Sequence, residues 1–279
     1  MSFIKRVVNK LQNDDTCEIG SEFETANLSD EDCGGCPSKY PSSLKIDEDS
    51  KLLNSAPKPA LQILVATGEK DWLRDISDEK TSWGRVCNAL SKSSDALQTA
   101  AGGPVRVNGT DLEFDSDDGH VVSIILLPQF VRIETTAKTV VDEVLQVLTA
   151  GKRKDLPNNA LVLKDKGYVM ICSHGKRDKR CSVTAPILRK ELEIELRHEG
   201  LYRDPYDDEP AGIRVVYCNH VGGHKFAANC FVYLEDGTVV LMARVKPEHA
   251  KSIVQKTILR GVVFPEITRN CAKLKSCEW

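Results

Sequence analysis

The sequence has no long hydrophobic run and no surplus of basic residues. No apolar stretch approaches the roughly 20 residues with which a helix crosses a bilayer, so we expect no transmembrane segment. The 279 residues include 38 Lys and Arg against 41 Asp and Glu, and this acidic balance argues against a general nucleic-acid-binding protein. With 18 glycines and 12 prolines, the chain is neither collagen-like nor of low complexity. Its length suits a globular protein of one or two domains.

Cysteine, in contrast, is abundant, since the chain has ten. No apolar signal region follows Met1, so we expect a reducing compartment and place the protein in the cytoplasm. Ten cysteines spread over this length do not make a small disulfide scaffold. Cysteine together with histidine in a reducing compartment indicates metal or redox chemistry instead.

Residues 1–58 are predicted to be an acidic, largely disordered segment. Between Asp14 and Asp49 there are 11 acidic residues against two lysines, and such a stretch buries too little apolar area to offset its ordering entropy. Residues 3–11 carry apolar side chains at helical spacing with basic residues between them. This pattern predicts either a short helix that caps the folded body or frays, or a membrane-surface or mitochondrial targeting helix. The last possibility leaves a mitochondrial location as the alternative.

A C-x-x-C pair, Cys33 and Cys36, lies inside this acidic segment. That spacing is typical of redox-active thiols or of half a zinc site. The pair does not stand at a strand-to-helix turn, and only Cys17 is near it as a further sulfur ligand. Incidental cysteines are therefore the competing interpretation.

From Leu61 onwards, the hydrophobic pattern predicts an α/β fold in two domains. Short apolar runs predict strands, and apolar residues three and four apart predict helices. A βαββα order occurs twice, which we assign to domains at 59–156 and 157–264, with 265–279 as a C-terminal tail. The predicted strands are 61–66, 121–127, 168–172, 213–218, 230–234 and 239–245, and the predicted helices lie around 83–90, 137–148, 188–196 and 247–259.

Two polar segments contain the candidate chemistry: Cys172-Ser-His-Gly-Lys-Arg-Asp-Lys-Arg-Cys181 and His220-Val-Gly-Gly-His224-Lys-Phe-Ala-Ala-Asn229. Each begins where a predicted strand ends, and the sites of α/β proteins gather at the carboxyl ends of strands. Two thiolates and two imidazoles suit zinc or a [2Fe–2S] cluster. Eight residues between Cys172 and Cys181 are too many for a zinc finger. Two adjacent glycines disfavour a helix through both histidines and permit a tight loop close to a cofactor.

These segments resemble the sucrase/ferredoxin-like family. The resemblance rests on C-x-H-G-x-R-D-x-R-C and H-V-G-G-H-K-F-A-A-N; it covers the second domain well, including residues 199–204, and the first domain loosely. It implies that the second domain is a thioredoxin-like ferredoxin with a [2Fe–2S] cluster, and we expect two thioredoxin-like domains in all. The implied ligands are Cys172 and Cys181 on one iron and His220 and His224 on the other.

Residues beside these four ligands are expected to support the site. His174 lies inside the first segment but is not expected to be a ligand. The cations predict a basic rim that stabilises a reduced cluster and docks an acidic electron donor, with a solvated charged loop as the competing interpretation. Asp178 is expected to pair with Arg177 or Arg180. The supporting residues are Arg177, Asp178, Arg180, Gly222, Gly223, Lys225 and Asn229.

The resemblance implies an iron–sulfur electron-transfer protein. Neutral imidazoles in place of two thiolates make the cluster less negative, so its potential lies above that of all-cysteine ferredoxins. An imidazole nitrogen that is not bound to iron can lose its proton on oxidation, and we hypothesise a potential that falls as the pH rises. The electron donor, the acceptor and any substrate are left open, and with them the question of enzyme activity.

Two other functions fit the same residues. A redox-inactive zinc-binding adaptor, for instance on the cytoskeleton, uses the four donors without electron transfer. A thiol–disulfide oxidoreductase uses Cys172, or Cys33 with Cys36. A sucrase activity has no support, because no carboxylate pair for glycoside hydrolysis can be identified. No nucleotide-binding fingerprint is present, so no nucleotide cofactor is expected.

The sequence ends in Cys277-Glu278-Trp279. A terminal tryptophan on a flexible tail is an apolar anchor for a partner's pocket. Its acid and its aromatic residue resemble the terminal tripeptide by which the cytosolic iron–sulfur assembly machinery recognises clients, so we expect Glu278 and Trp279 to bind that machinery. Cys277 departs from the usual aliphatic residue, and a packed tryptophan is the competing interpretation.

Overall fold

One mixed sheet of eleven strands runs through the described residues. The computed structural model describes residues 19–28, 38–114, 119–204, 207, 209–277 and 279, so the predicted helix at 3–11 and Cys17, Cys33, Cys36 and Glu278 lie outside them. The strands are β1 (Leu61–Ala66), β2 (Val105–Thr110), β3 (Val122–Leu127), β4 (Val131–Thr135), β5 (Ala160–Val162), β6 (Gly167–Cys172), β7 (Tyr202–Arg203), β8 (Ile213–Cys218), β9 (Cys230–Leu234), β10 (Thr238–Met242) and β11 (Thr268–Lys273).

Five α-helices accompany this sheet in the described part of the chain. They are α1 (Ser82–Lys92), α2 (Ser94–Ala101), α3 (Val140–Thr149), α4 (Lys179–His198) and α5 (Ala250–Ser252), which continues as a π-helical segment, Ile253–Ile258. Helix α4 buries the apolar stripe of Leu188, Leu192 and Leu196, as the spacing predicts. None of these helices has the length and apolarity that a bilayer crossing requires.

The strand order shows two similar halves, of which the first contains β1 to β5 and the second contains β6 to β11. It reads β11-β10-β9-β6-β8-β2-β1-β3-β4-β5, with β7 beside β8. In the first half β1 runs parallel to β2 and antiparallel to β3, and in the second β6 runs parallel to β8 and antiparallel to β9. The halves meet at β2 and β8, where Thr110 pairs with Cys218. The predicted α/β class is confirmed, and a single sheet joins the two predicted domains.

Three strands, β2 to β4, follow the first helices of the first half, and four strands, β7 to β10, follow α4 in the second half. The predicted βαββα order has two strands at this place. Strand β2 has no apolar run, since Arg106 and Asn108 alternate with its valines. Strand β11 lies inside the predicted tail and pairs with β10, although Arg269 and Asn270 occupy buried positions in it. Neither strand was predicted, because the prediction relied on apolar runs and these strands have polar residues at positions that the sheet buries.

The two halves also share a hydrophobic core. One cluster combines Leu64 and Leu127 of the first half with Met170, Val216 and Phe231 of the second. Burial of apolar area across the β2–β8 junction therefore stabilises the joined sheet. The carboxyl ends of β6 and β8 lie at this junction, where the two polar segments begin.

Residues 38–58 lie against the second half, although the sequence assigns them to a largely disordered segment. Leu52 and Leu53 are buried, and Arg244 donates to the carbonyl of Ser50 at 2.6 Å. Tyr40 donates its hydroxyl to the carbonyl of Val245 at 2.8 Å. A few buried side chains and hydrogen bonds to the backbone hold these residues beside the candidate site. Their acidic composition alone predicts disorder.

Candidate functional site

The two candidate cysteines lie together at the end of β6. Cys172 is the last residue of that strand, Cys181 is in the first turn of α4, and each is 1% exposed. The Cys181 thiol donates a hydrogen bond to the Cys172 sulfur, and this bond holds the pKa of Cys172 well below that of an ordinary thiol. The same bond raises the pKa of Cys181. The pair therefore favours one thiolate, at Cys172.

The two candidate histidines lie beyond the end of β8, the parallel neighbour of β6. The register pairs Cys172 with Cys218, and His220 follows two residues later. The His220 side chain hydrogen-bonds to the Cys172 sulfur, and the ring centroids of His220 and His224 are 5.6 Å apart. The structure thus brings the four predicted ligands together as a cysteine pair and a histidine pair.

The site is buried on its sulfur side and open on its histidine side. His220 is partly buried, while the side chain of His224 is 52% exposed. Water reaches the outer imidazole but not the two sulfurs. This asymmetry suits a site in which protons move at the surface and soft ligands stay dry.

His174 supports the site through both of its ring nitrogens. Its Nδ1 accepts the backbone N–H of His220 at 3.1 Å, so its proton resides on Nε2, which donates to the carbonyl of Trp72 at 2.9 Å. Burial lowers the pKa of His174 and favours this neutral form. With both nitrogens occupied, His174 has no lone pair to offer a metal, as expected of it.

Asp178 connects the cysteine helix to the histidine loop. Its Oδ1 accepts the backbone N–H of Arg180 at 2.9 Å and caps α4, and its Oδ2 lies 2.6 Å from Nη2 of Arg180. The hydrogen bond from Arg180 lowers the pKa of Asp178. Of the two arginines proposed as its partner, Arg180 is the one that pairs. Oδ2 also lies 3.3 Å from Nδ1 of His224, which leaves Nε2 of that ring free to coordinate.

The cations of the predicted basic rim form ion pairs and hydrogen bonds with other segments of the chain. Lys225 contacts Asp47 at 3.4 Å, and Arg180 also donates to the carbonyl of Lys225 at 3.3 Å. Arg177 donates to the carbonyl of Arg74 at 3.0 Å. These cations therefore fix the loops around the site as well as supplying positive charge.

The glycine loop between the histidines is shaped by a buried arginine. Gly222 and Gly223 have φ of 78° and 62°, which only glycine adopts readily. A Cβ on Gly223 would lie 2.5 Å from Nη2 of Arg269. Arg269 donates to the carbonyl of Gly222 at 3.0 Å and to Oδ1 of Asn229 at 2.7 Å. A guanidinium group therefore lies close against this loop, while the close approach of the loop to a cofactor stays a prediction.

The first half also holds the cysteine loop. The Ser173 hydroxyl donates to the carbonyl of Lys70 at 2.7 Å, and the backbone N–H of Lys176 donates to Asp71 at 3.1 Å. Sequence reasoning missed these supports, because nothing in the first half marks residues 70–74 as neighbours of the site. It missed Arg269 as well, since a single sequence does not distinguish a buried arginine from an exposed one.

The C-terminal tryptophan is docked on the body of the protein. Trp279 donates its indole N–H to the carbonyl of Gln129 at 2.7 Å and packs, half-buried, against the core of the first half. This arrangement corresponds to the competing interpretation from the sequence, in which the tryptophan packs on the protein and is not an anchor on a flexible tail. Partner binding by Trp279 stays a prediction, and Glu278 lies outside the described residues.

Within the described ranges, no group of three or more His, Cys, Asp or Glu side chains is arranged to hold a metal ion. The four candidate ligands stand as two pairs instead. Fold and site together define an α/β protein with paired cysteines and histidines at the carboxyl edge of its sheet. Residues 52–270 match the model of the sucrase/ferredoxin-like family, so the chain belongs to this family, as its two polar segments predict.

Curated relatives support this assignment. The chain is 32% identical over 254 residues to Actin patches distal protein 1 of Saccharomyces cerevisiae, covering 84% of this chain and 80% of that protein. It is 36% identical over 104 residues to Altered inheritance of mitochondria protein 32 of Clavispora lusitaniae, covering 37% of this chain and 34% of that protein. The protein of the same name from Eremothecium gossypii is 23% identical over 265 residues, covering 81% of this chain and 77% of that protein. No solved structure matches the chain.

Proposed function

We propose that this protein is an iron–sulfur electron carrier whose second half holds a [2Fe–2S] cluster. The implied ligands are Cys172, Cys181, His220 and His224. The observation that carries the proposal is the contact of the Cys172 sulfur with both Cys181 and His220, with the His224 ring beside them. Two segments far apart in sequence thus supply adjacent soft donors at one sheet edge.

The donor set fits such a cluster. Each iron of a [2Fe–2S] cluster takes two protein ligands, and mixed Cys and His ligation is known for this cluster type. Two donor pairs match that requirement without three donors around a single ion. When bound, the cluster accepts and returns single electrons. The buried Cys172 and Cys181 exclude water from the sulfur side of the site.

The side chains around the histidines supply the proton chemistry of this proposal. Asp178, kept ionised by Arg180, faces Nδ1 of His224 and orients the proton of a neutral imidazole to that atom. The exposed imidazole exchanges that proton with water. With a cluster bound, this imidazole would lose its proton on oxidation and regain it on reduction, and the reduction potential would then fall as the pH rises.

Anaerobic purification of the full chain tests the proposal. The expected product is red-brown, with iron and acid-labile sulfide each near two per chain, as the cluster formula requires. Cys172→Ser and Cys181→Ser are expected to lose the colour. Cys87→Ser, which alters an equally buried cysteine of the first half, is the matched control and keeps it. Colourless protein with one zinc favours the adaptor, and metal-free protein with disulfide reductase activity favours the oxidoreductase.

The same proposal includes a thioredoxin-like fold for each half. The order β2-β1-β3-β4 in the first half and β8-β6-β9-β10 in the second supports it, because each has a parallel βαβ pair followed by two antiparallel strands. In the second half, the two cysteines then lie at the end of the first core strand and the start of the following helix, and the two histidines follow β8. An experimental structure of the loaded protein tests this arrangement.

A location and a cellular role are proposed from the relatives. The name of the yeast relative refers to actin patches, and we extend that link and a cytoplasmic location to this chain, with redox homeostasis as the wider role. The exposed Lys176 and Lys179 are proposed to dock an acidic electron donor. Imaging of the tagged protein beside stained actin patches, in cells with and without the Cys172→Ser change, tests the connection; mitochondrial signal would contradict the location.

A further inference from the structure

A buried guanidinium lies under the histidine loop with neutral partners. Arg269 is 1% exposed on β11. Besides Gly222 and Asn229, it donates to the hydroxyl of Ser55 at 3.1 Å and to the carbonyl of Ser55 at 3.0 Å. Among the described residues, no Asp or Glu forms an ion pair with it. A buried cation in such surroundings is unfavourable unless a negative charge lies nearby.

A second arginine, Arg106, forms a hydrogen bond with Val221, the neighbour of Gly222 in the same loop. Arg106 donates to the carbonyl of Val221 at 3.2 Å and to the carbonyl of Pro57 at 3.3 Å, and its buried Nε has no acceptor. It too forms no ion pair with a carboxylate in the described part of the chain. The loop between the two candidate histidines is thus held by two cations through successive carbonyl groups.

Arg269 places a positive charge directly against the loop between the two candidate histidines. Burial, followed by the positive charge of Arg106, lowers the pKa of Arg269 to about 10. At neutral pH the guanidinium is therefore still charged.

We propose that Arg269 is a positioning residue that also supplies the counter-charge of the ligand site. It holds the glycine loop through Gly222 and Asn229, and its positive charge compensates the negative charge of the loaded site. This inference rests on the proposed cluster and deepens it. Reduction adds one negative charge to the site, so the cation favours the reduced form and raises the reduction potential.

Two kinds of substitution separate charge from loop positioning. Arg269→Met removes the charge, while Arg269→Lys keeps it but loses the fork of hydrogen bonds. Asn229→Asp leaves Arg269 in place and gives it a carboxylate partner with little change of shape. Arg85→Met, on the exposed face of α1, is the control for loss of one positive charge far from the site.

The experiment is a potentiometric titration of each loaded full-length variant, followed by visible absorption. Arg269→Met and Asn229→Asp are expected to shift the reduction equilibrium about tenfold toward the oxidised form, which corresponds to about 59 mV for one electron. Arg85→Met is expected to stay close to the unaltered chain, and Arg269→Lys, which keeps the charge, is expected to shift the potential less than Arg269→Met does. Equal potentials for all of these variants would overturn the counter-charge role.

A measurement on the metal-free protein keeps the inference separate from the cluster proposal. In the metal-free chain the charge of Arg269 has no carboxylate partner, so Asn229→Asp is expected to raise the melting temperature. The truncation Asn229→Ala is expected to lower it. A melting temperature for Asn229→Asp below that of the unaltered chain would overturn the premise. Absence of a cluster in the unaltered chain defeats the proposed function, and this melting comparison still decides the state of Arg269.

Discussion

The carboxylate of Asp178 lies 3.3 Å from Nδ1 of His224. The same carboxylate caps the helix that carries Cys181 and pairs with Arg180. A single side chain therefore ties the cysteine segment to the histidine segment. The geometry of the candidate site depends on this tie, because His224 is otherwise on an exposed loop.

Replacement of Asp178 is expected to destabilise the metal-free protein. Asp178→Ala removes the helix cap and the ion pair with Arg180, at a cost of about 2 kcal/mol. Asp178→Asn keeps a cap acceptor and is expected to cost about half as much. Denaturant unfolding of the three proteins at pH 7 measures these differences.

The effect of Asp178 also has a predictable pH dependence. Its pKa is lowered in the folded protein, so its contribution is fully present above the unfolded value, about 3.9, and is lost as the pH falls through the folded value. The stability gap between the native chain and Asp178→Asn is therefore expected to shrink below pH 4. A gap that stays constant into strong acid would show that the carboxylate charge is not its source.

Exchange of a candidate histidine for cysteine is expected to change the electronic properties of the site without emptying it. His220→Cys and His224→Cys each replace a neutral imidazole by a thiolate, so the potential moves toward the roughly −400 mV of all-cysteine ferredoxins. The dependence of potential on pH weakens, because one titrating imidazole is gone. Visible spectra and titrations at several pH values measure both effects.

The control for this exchange is His198→Cys, which alters an exposed histidine at the far end of α4. It is expected to leave spectrum and potential unchanged. An unchanged spectrum for His220→Cys or His224→Cys would remove that residue from the ligand set. A potential of the native chain that is flat from acid to alkaline pH would contradict the proton coupling.

The sequence was most informative where a residue type and its spacing carry the chemistry. Cys172 and His220 were placed at strand ends by the hydrophobic runs before them, and the structure brings them together. The supports of the site were not predictable, because they arise from contacts between distant segments. Arg269, in what was predicted to be a tail, is buried by the pairing of β11, and Trp72 reaches His174 only because the two halves share one sheet.

The two adjacent glycines provide a matched test of the arginine contact. Gly222 and Gly223 both have positive φ, so alanine at either position is expected to cost about 1 kcal/mol in backbone strain. A Cβ at Gly222 meets no atom within 4 Å, whereas one at Gly223 meets Arg269. Gly223→Ala is therefore expected to cost about 2–3 kcal/mol, since the guanidinium must move and lose hydrogen bonds. Equal losses in denaturant unfolding would contradict the close approach of Arg269.

Trp279 is expected to have a structural role that is separable from a role in recognition. Trp279→Ala removes the hydrogen bond to Gln129 and the packing of a half-buried indole, at a cost of about 1–2 kcal/mol. Trp279→Phe keeps most of the packing and is expected to lose less. Thermal unfolding of the metal-free proteins measures this structural part.

If the assembly machinery reads the terminal residue, the docked indole must first leave the body of the protein. Trp279→Ala is then expected to lower the iron content of protein made in cells severalfold. The same variant, reconstituted in vitro with iron and sulfide, is expected to reach the iron content of the unaltered chain, because its ligands are intact. Equal iron content in cells would contradict recognition through Trp279, and equal losses in cells and in vitro would assign its effect to the docking against Gln129 alone.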